Sequence, residues 1–317
     1  MLAVVFDGKT ASLVEHPKPK CAKGEALIAV RAAGVCSTDL EILKGYMGFR
    51  GVMGHEFVGT VVEGPPSWVA KRVVGEINCV CGRCDMCTSG LSNHCRNRGV
   101  VGIDRRDGVF AEFVSMPVAN LHVVPDGMDD TAAVFVEPLA AALQVLRQVR
   151  VEGAGVVVVI GDGRLGQLVA RVMKLTGARC LLVGRYPAKL DAAEKQGIET
   201  VLAEAFVPAA KAGIVVEASG SPGGLELAMR TVRPRGTIVL KSTFAGGGPN
   251  LSPLVVNEVT VVGSRCGPFP DAIAALASGK IDVSALVACR FGLGGALEAL
   301  EAAGKPENIK VLIDVQR

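Results

Sequence analysis

The chain has 317 residues, half of them hydrophobic, which is enough for two domains, each with its own core. Its 34 basic and 31 acidic residues leave a net charge of +3 with no basic run, and aromatics make up 4%; this argues against a nucleic-acid or membrane-surface binder and against a base-stacking surface. Met1-Leu2-Ala3-Val4-Val5-Phe6-Asp7 has no charged region followed by a long apolar one, and no apolar run reaches the roughly 18 residues that span a bilayer. Ten cysteines, clustered at metal-ligand spacing, read as reduced thiols of a cytoplasmic protein.

Residues 1–35 alternate apolar and polar positions. Leu2–Phe6 and Glu25–Ala32 read as strands. Short strands broken by Pro and Gly, among them Phe57–Val62 and Ala111–Ser115, continue to about Val124, so the first region is antiparallel, β-rich and barrel-like. Cys36-Ser37-Thr38-Asp39 opens a helix with Ser37, Thr38 or Asp39 as its cap. Thr38 has two readings, a cap or a hydroxyl that passes a substrate proton outward. Asp39 can orient an imidazole ligand through its second nitrogen.

Gly54-His55-Glu56 follows. With Cys36 it offers a thiolate, an imidazole and a carboxylate, the ligand types of a catalytic zinc that keeps one position open. Neighbours on a regular strand point to opposite faces, so His55 and Glu56 reach one metal only where the backbone is irregular. Glu137, at the start of the apolar helix Glu137-Pro138-Leu139-Ala140-Ala141-Ala142-Leu143, is the alternative carboxylate. Stabilisation by the helix dipole accounts for Glu137 equally well.

Cys81, Cys84, Cys87 and Cys95 form a C-x2-C-x2-C-x7-C pattern. Four thiolates so close wrap one tetrahedral zinc with no vacancy, which makes a structural site. An iron–sulfur cluster also takes four cysteines, usually in different sequence company. Cys79 and His94 are neighbours of the pattern that fall outside its spacing.

At Val156 the texture changes. Val156–Ile160 is an uninterrupted apolar run, as in a parallel strand buried on both faces. Gly161-Asp162-Gly163-Arg164-Leu165-Gly166 follows, then a helix over Gln167–Thr176. Strand, G-x-G-x-x-G and helix are the context of a dinucleotide-binding turn, in which Gly161, Gly163, Arg164, Leu165 and Gly166 meet the pyrophosphate. The second strand, Arg179–Val183, ends in Gly184-Arg185-Tyr186, where an NAD site usually places an acid about 20 residues past the glycines. Gly184 removes that acid and Arg185 can pair with a 2′-phosphate, which favours NADP over NAD; a surface arginine is the plain alternative. Ile214–Glu217, Thr237–Leu240 and Thr260–Gly263 are further strands, with a helix at Gly224–Thr231. Ser219 and Ser242 stand at strand ends where ligands bind.

In this order, Gly34–Asp39, Gly54–Gly59, Cys81–Cys95, Glu137-Pro138-Leu139-Ala140, Gly161–Gly166 and Asn257–Arg265 resemble, over essentially the whole length, the zinc-dependent medium-chain dehydrogenases/reductases. The combination of Gly54-His55-Glu56 with Glu137-Pro138 is similar to the polyol, glucose and threonine dehydrogenase branch. Alcohol dehydrogenase is itself a standard instance of zinc held by cysteine and histidine. The resemblance implies an α/β protein: a GroES-like, β-rich catalytic domain over 1–140, a doubly wound Rossmann cofactor domain over 141–284, and a return to the first domain over 285–317. It implies Cys36, His55, Glu56 and Glu137 around a catalytic zinc, a second, structural zinc, and Lys310 facing the cofactor pyrophosphate. It also implies a homodimer or homotetramer built through the cofactor domains, acting on a small-molecule alcohol or its carbonyl. Many relatives end a proton relay with a histidine three residues after the threonine; here that position is Glu41. The rival readings are a zinc-free quinone or enone reductase on the same scaffold and a non-catalytic NADP(H)-binding protein.

Overall fold

The computed structural model describes residues 1–243 and 247–316. It comprises two compact units, Met1–Glu137 together with Ile273–Arg317, and Pro138–Ala272. The helix Phe269–Ala277 straddles the second junction.

The first unit is β-rich. Its main sheet runs in the order Leu121–Val123, Arg72–Gly75, Glu56–Glu63, Glu25–Val35, Lys310–Asp314, Val287–Gly292, and Phe113–Pro117 also pairs with Glu25–Val35. All these pairings are antiparallel except the last two strands, which are parallel. Glu25–Val35 is covered on both faces, so its apolar run is almost unbroken where the half-exposed strand Ala11–Glu15 alternates. Ile28, Phe57, Phe110, Leu300 and Val311 are in the core of this unit.

The second unit holds a six-stranded parallel sheet in the order Glu199–Leu202, Arg179–Gly184, Val156–Ile160, Ala212–Glu217, Val232–Leu240, Thr260–Gly263. In chain order this is 3-2-1-4-5-6, the doubly wound arrangement whose order reverses beside Val156–Ile160. Every residue of Ala212–Glu217 is buried, as a central parallel strand requires. The sequence reading lacks the strand Glu199–Leu202: it lies at a sheet edge and none of its side chains is fully buried, so its apolar pattern is weak.

Leu182 sits in the second strand and is fully buried. Leu182→Ala is expected to destabilise this unit by about 2–5 kcal/mol, the usual cost of an unfilled core cavity. Urea unfolding checks it; an unchanged midpoint would mean that the site collapses around the smaller side chain.

Candidate active site and metal centres

The strands Glu56–Glu63, Glu25–Val35 and Lys310–Asp314 lie side by side, and their register brings Glu56 and Leu312 to either flank of Gly34. A Cβ built on Gly34 would lie 2.6 Å from Lys310 Nζ and 2.7 Å from Glu56 Oε2. Glycine is therefore the residue that leaves room for a Lys310–Glu56 ion pair. Lys310 Nζ donates to Glu56 Oε2 and, at 3.3 Å, to the Val35 carbonyl. Both side chains are essentially without solvent exposure. Burial pulls the Lys310 ammonium down to about 8, against the opposing charges of Cys36 and Asp39.

Gly54, at φ +91°, turns the chain immediately before this strand. The turn supplies the irregular backbone that adjacent residues need to face one point. Cys36 Sγ, a His55 ring nitrogen and a Glu56 carboxylate oxygen all lie within 4.8 Å of one another. Cys36 caps the helix Ser37–Leu43, and its amide donates to Asp39 Oδ2 at 2.7 Å. The other oxygen, Asp39 Oδ1, is 3.2 Å from His55 Nδ1, and both atoms are buried. This contact makes Asp39 the group that orients the ring and would leave Nε2 for a metal. Burial pushes the His55 pKa down, but the charge and hydrogen bonding of Asp39 and Cys36 outweigh it and raise it well above 6.5.

These groups also show why a dication fits. With Cys36 as thiolate and a metal in place of the His55 proton, the pocket would hold three anions, Cys36, Asp39 and Glu56, against one lysine ammonium. A doubly charged ion would neutralise the remainder, and a soft thiolate with an imidazole and a carboxylate fits zinc with an open position. Thr38 Oγ1 stands 3.7 Å from Cys36 Sγ at the edge of the pocket.

Two sequence expectations sit differently here. Glu137, in the first turn of the helix Val136–Gln148, is outside the set of gathered donors. Lys310 is corrected from a pyrophosphate contact to the partner of Glu56, because its ammonium is fully buried in the sheet of the first unit. Glu41 is exposed and paired with Lys44 at 2.8 Å.

The second donor set is Cys81, Cys84, Cys87 and Cys95, whose sulfurs also lie within 4.8 Å of one another, with neighbouring pairs at 3.5–3.9 Å. None of the ten cysteines forms a disulfide. Backbone amides of Arg83 and Cys84 hold the Cys81 thiol down at about 6, while desolvation and the neighbouring thiols push Cys87 up to about 12. Cys79 belongs to the apolar core, and His94 lies outside the donor set.

In the second unit, Gly161 adopts φ +114° and a Cβ on Gly166 would meet the Gly161 carbonyl oxygen at 1.8 Å, so the loop closes tightly onto the helix Arg164–Leu175. Gly163 is the cap of that helix, with Arg164 and Leu165 in its first turn. Arg185 and Tyr186 are exposed beyond Gly184. Ser219 Oγ and Ser242 Oγ each donate to the fully buried Glu217, both at 2.5 Å, and the Gly220 amide donates to Ser242 Oγ at 2.9 Å. Glu217 thus organises both strand-end serines. Sequence reasoning missed it because it reads as the polar end of an apolar strand.

Comparison with known proteins identifies the family. Residues 22–126 match the alcohol dehydrogenase GroES-like domain and residues 165–278 the zinc-binding dehydrogenase domain. A sorbitol dehydrogenase of Halalkalibacterium halodurans is 30% identical over 94% of this chain and 94% of its own length. A putative zinc-binding dehydrogenase from Sinorhizobium meliloti bound to NADP superposes with a TM-score of 0.91 at 27% identity, covering 99% of both chains. A short chain alcohol dehydrogenase from Escherichia coli CFT073 complexed with NADH gives a TM-score of 0.89 at 25% identity over 99% of both chains. The chain belongs to the zinc-dependent medium-chain dehydrogenase/reductase family, in its polyol dehydrogenase branch. It is an NAD(P)-dependent oxidoreductase acting on CH–OH groups.

Gly34→Ala tests the construction of the pocket. The added methyl is expected to force Lys310 and Glu56 apart and cost about 1–3 kcal/mol, as overpacking does. Thermal unfolding checks it, and a wild-type melting curve would show that the pair has room to spare.

Proposed function

We propose that Cys36, His55 and Glu56 hold a catalytic zinc, that Cys81, Cys84, Cys87 and Cys95 hold a structural one, and that the protein interconverts a secondary alcohol, polyol or sugar acid with its carbonyl. The convergence of thiol, imidazole and carboxylate on one buried point carries this reading. Zinc bound there supplies Lewis-acid polarisation of the substrate oxygen, while the nicotinamide exchanges the hydride. Asp39 fixes the His55 ring, and Lys310 restrains Glu56, so the three donors keep their arrangement. Thr38, partly exposed beside Cys36, takes the hydroxyl proton of an alcohol and hands it outward. Arg164, Leu165 and the glycines Gly161, Gly163 and Gly166 receive the dinucleotide pyrophosphate at the helix N-terminus. The substrate class follows the relatives, a sorbitol dehydrogenase and an L-galactonate-5-dehydrogenase of Escherichia coli K12 among them. The presence of all three donors disfavours a zinc-free reductase.

Metal analysis of the purified protein is expected to give two zincs per chain. His55→Ala should retain one zinc, keep its fold and lose at least about a hundredfold in turnover, the scale set by removing a principal charge-stabilising group. Cys84→Ala should instead lose the structural zinc and unfold at lower temperature. Turnover of the His55 variant near wild type on every alcohol tested would sink the assignment.

The strand Thr260–Gly263 closes one edge of the parallel sheet, and beside it Val255 and Val256 are each 79% exposed. An unpaired edge with exposed apolar side chains supports a homodimer or homotetramer joined there. Light scattering should report two or four chains, and Val256→Asp should shift the population toward monomer. A monomer in the wild type at micromolar concentration would rule the interface out. No helix among the described residues is long and apolar enough to cross a membrane. Ten cysteines with no disulfide among them support a reducing, cytoplasmic location.

A further inference from the structure

The end of the second strand of the parallel sheet is where a dinucleotide-binding fold selects between a ribose diol and a 2′-phosphate. Gly184 occupies that position and carries no acid. Its lack of a side chain is matched by what lies against it. A Cβ built on Gly184 would stand 2.6 Å from Asp162 Cβ and 2.7 Å from Asp162 Oδ2, with Leu190 Cδ2 at 2.6 Å on the other side. Asp162, from the Gly161-Asp162-Gly163 turn, fills the volume that a strand-end side chain would take.

The Asp162 carboxylate is held in place. Oδ2 accepts hydrogen bonds from the Arg185 amide at 2.7 Å and the Tyr186 amide at 2.8 Å. The residue is 7% exposed. Both of its hydrogen bonds run to Oδ2, so Oδ1 remains as an acceptor that the described residues do not engage. The two amides that follow the strand are committed to Asp162 and not offered to a phosphate. The strand end therefore presents a carboxylate after all, delivered from the glycine-rich turn and not from the strand itself. A carboxylate there accepts hydrogen bonds from vicinal hydroxyls and repels a phosphate dianion. The exposed Arg185 guanidinium acts beside this fixed negative charge, whereas the sequence-based expectation of NADP counted Gly184 and Arg185 without it.

Resting on the NAD(P)-dependent reading above, we infer that Asp162 is the specificity-determining residue of the cofactor site, taking the adenosine-ribose hydroxyls in place of a strand-end acid and making the protein select NAD(H) over NADP(H). Asp162→Asn keeps the volume, and its amide oxygen still serves the Arg185 and Tyr186 amides, while the charge is removed. Intrinsic or nucleotide fluorescence titration with NADH and NADPH, alongside thermal shift, reads binding without turnover. The wild type is expected to bind NADH at least about tenfold more tightly than NADPH. In Asp162→Asn that ratio should fall by about ten- to hundredfold, the worth of a hydrogen bond to a charged acceptor. A wild type that prefers NADPH, or a ratio unchanged in the variant, overturns the inference while leaving the dehydrogenase intact. Failure of the wild type to bind either nucleotide overturns both. If Asp162→Asn does not fold, Arg185→Ala decides: the wild-type order of affinities should persist in it, and selective loss of a dominant NADPH affinity would show that arginine makes the choice.

Discussion

The arrangement of the first unit turns on the charge balance of one buried pocket. Cys36, Asp39 and Glu56 place three acids in a space almost closed to water, and Lys310 is the ammonium that reaches them. Buried charges persist only when they are paired, so such a pocket fits a cation beyond Lys310. The geometry follows from that requirement. Gly34 must lack a side chain for Lys310 and Glu56 to meet, Gly54 must turn for His55 and Glu56 to converge, and the strand Lys310–Asp314 must return beside Glu25–Val35. Residues almost three hundred positions apart in the chain thereby share one electrostatic problem.

That separation explains which parts of the site were legible in the sequence. Cys81, Cys84, Cys87 and Cys95 announce themselves because their ligand spacing is local. Gly161–Gly166 does so because it follows an apolar run and precedes a helix. Cys36 and His55 could be singled out by residue type and by the glycines around them. The role of Lys310 could not: in sequence it is one basic residue in a terminal strand, and only strand register carries its ammonium to Glu56. Glu137 is the opposite case: a carboxylate at a helix start fits a ligand pattern, and it stands outside the gathered donors. The fold itself was easier to read. Period-two alternation and buried β-branched runs mark strands in both units, whereas a half-exposed edge strand such as Glu199–Leu202 lacks such a signal.

The cofactor unit has a similar asymmetry between what a motif displays and what packing decides. Gly184 is informative as an absence, but an absence does not say what occupies the space. Asp162 occupies it from 22 residues away, and Glu217 ties Ser219 and Ser242 together beneath the sheet edge. Both carboxylates sit at the ends of parallel strands or in the turn that follows one, where the sheet leaves polar groups to be satisfied by side chains. A pattern reading counts charges along the chain, whereas binding depends on charges at a point, and the two counts differ by one carboxylate here.

The two candidate donor sets differ in packing as much as in ligand number. Between Val80 and Gly99, Cys95 is the only buried residue, so this lobe has no apolar core to fold around. Four thiolates around one ion, as proposed, would replace that core; such complete coordination contributes stability and leaves no position for a substrate. The Cys36 site is the converse. It stands on strands whose neighbours are fully buried, among them Val35, Phe57 and Val311. Three donors held by such a frame would leave a metal's fourth direction for chemistry. A rigid apolar frame is thus what permits incomplete coordination, and incomplete coordination is what makes the metal useful to a substrate.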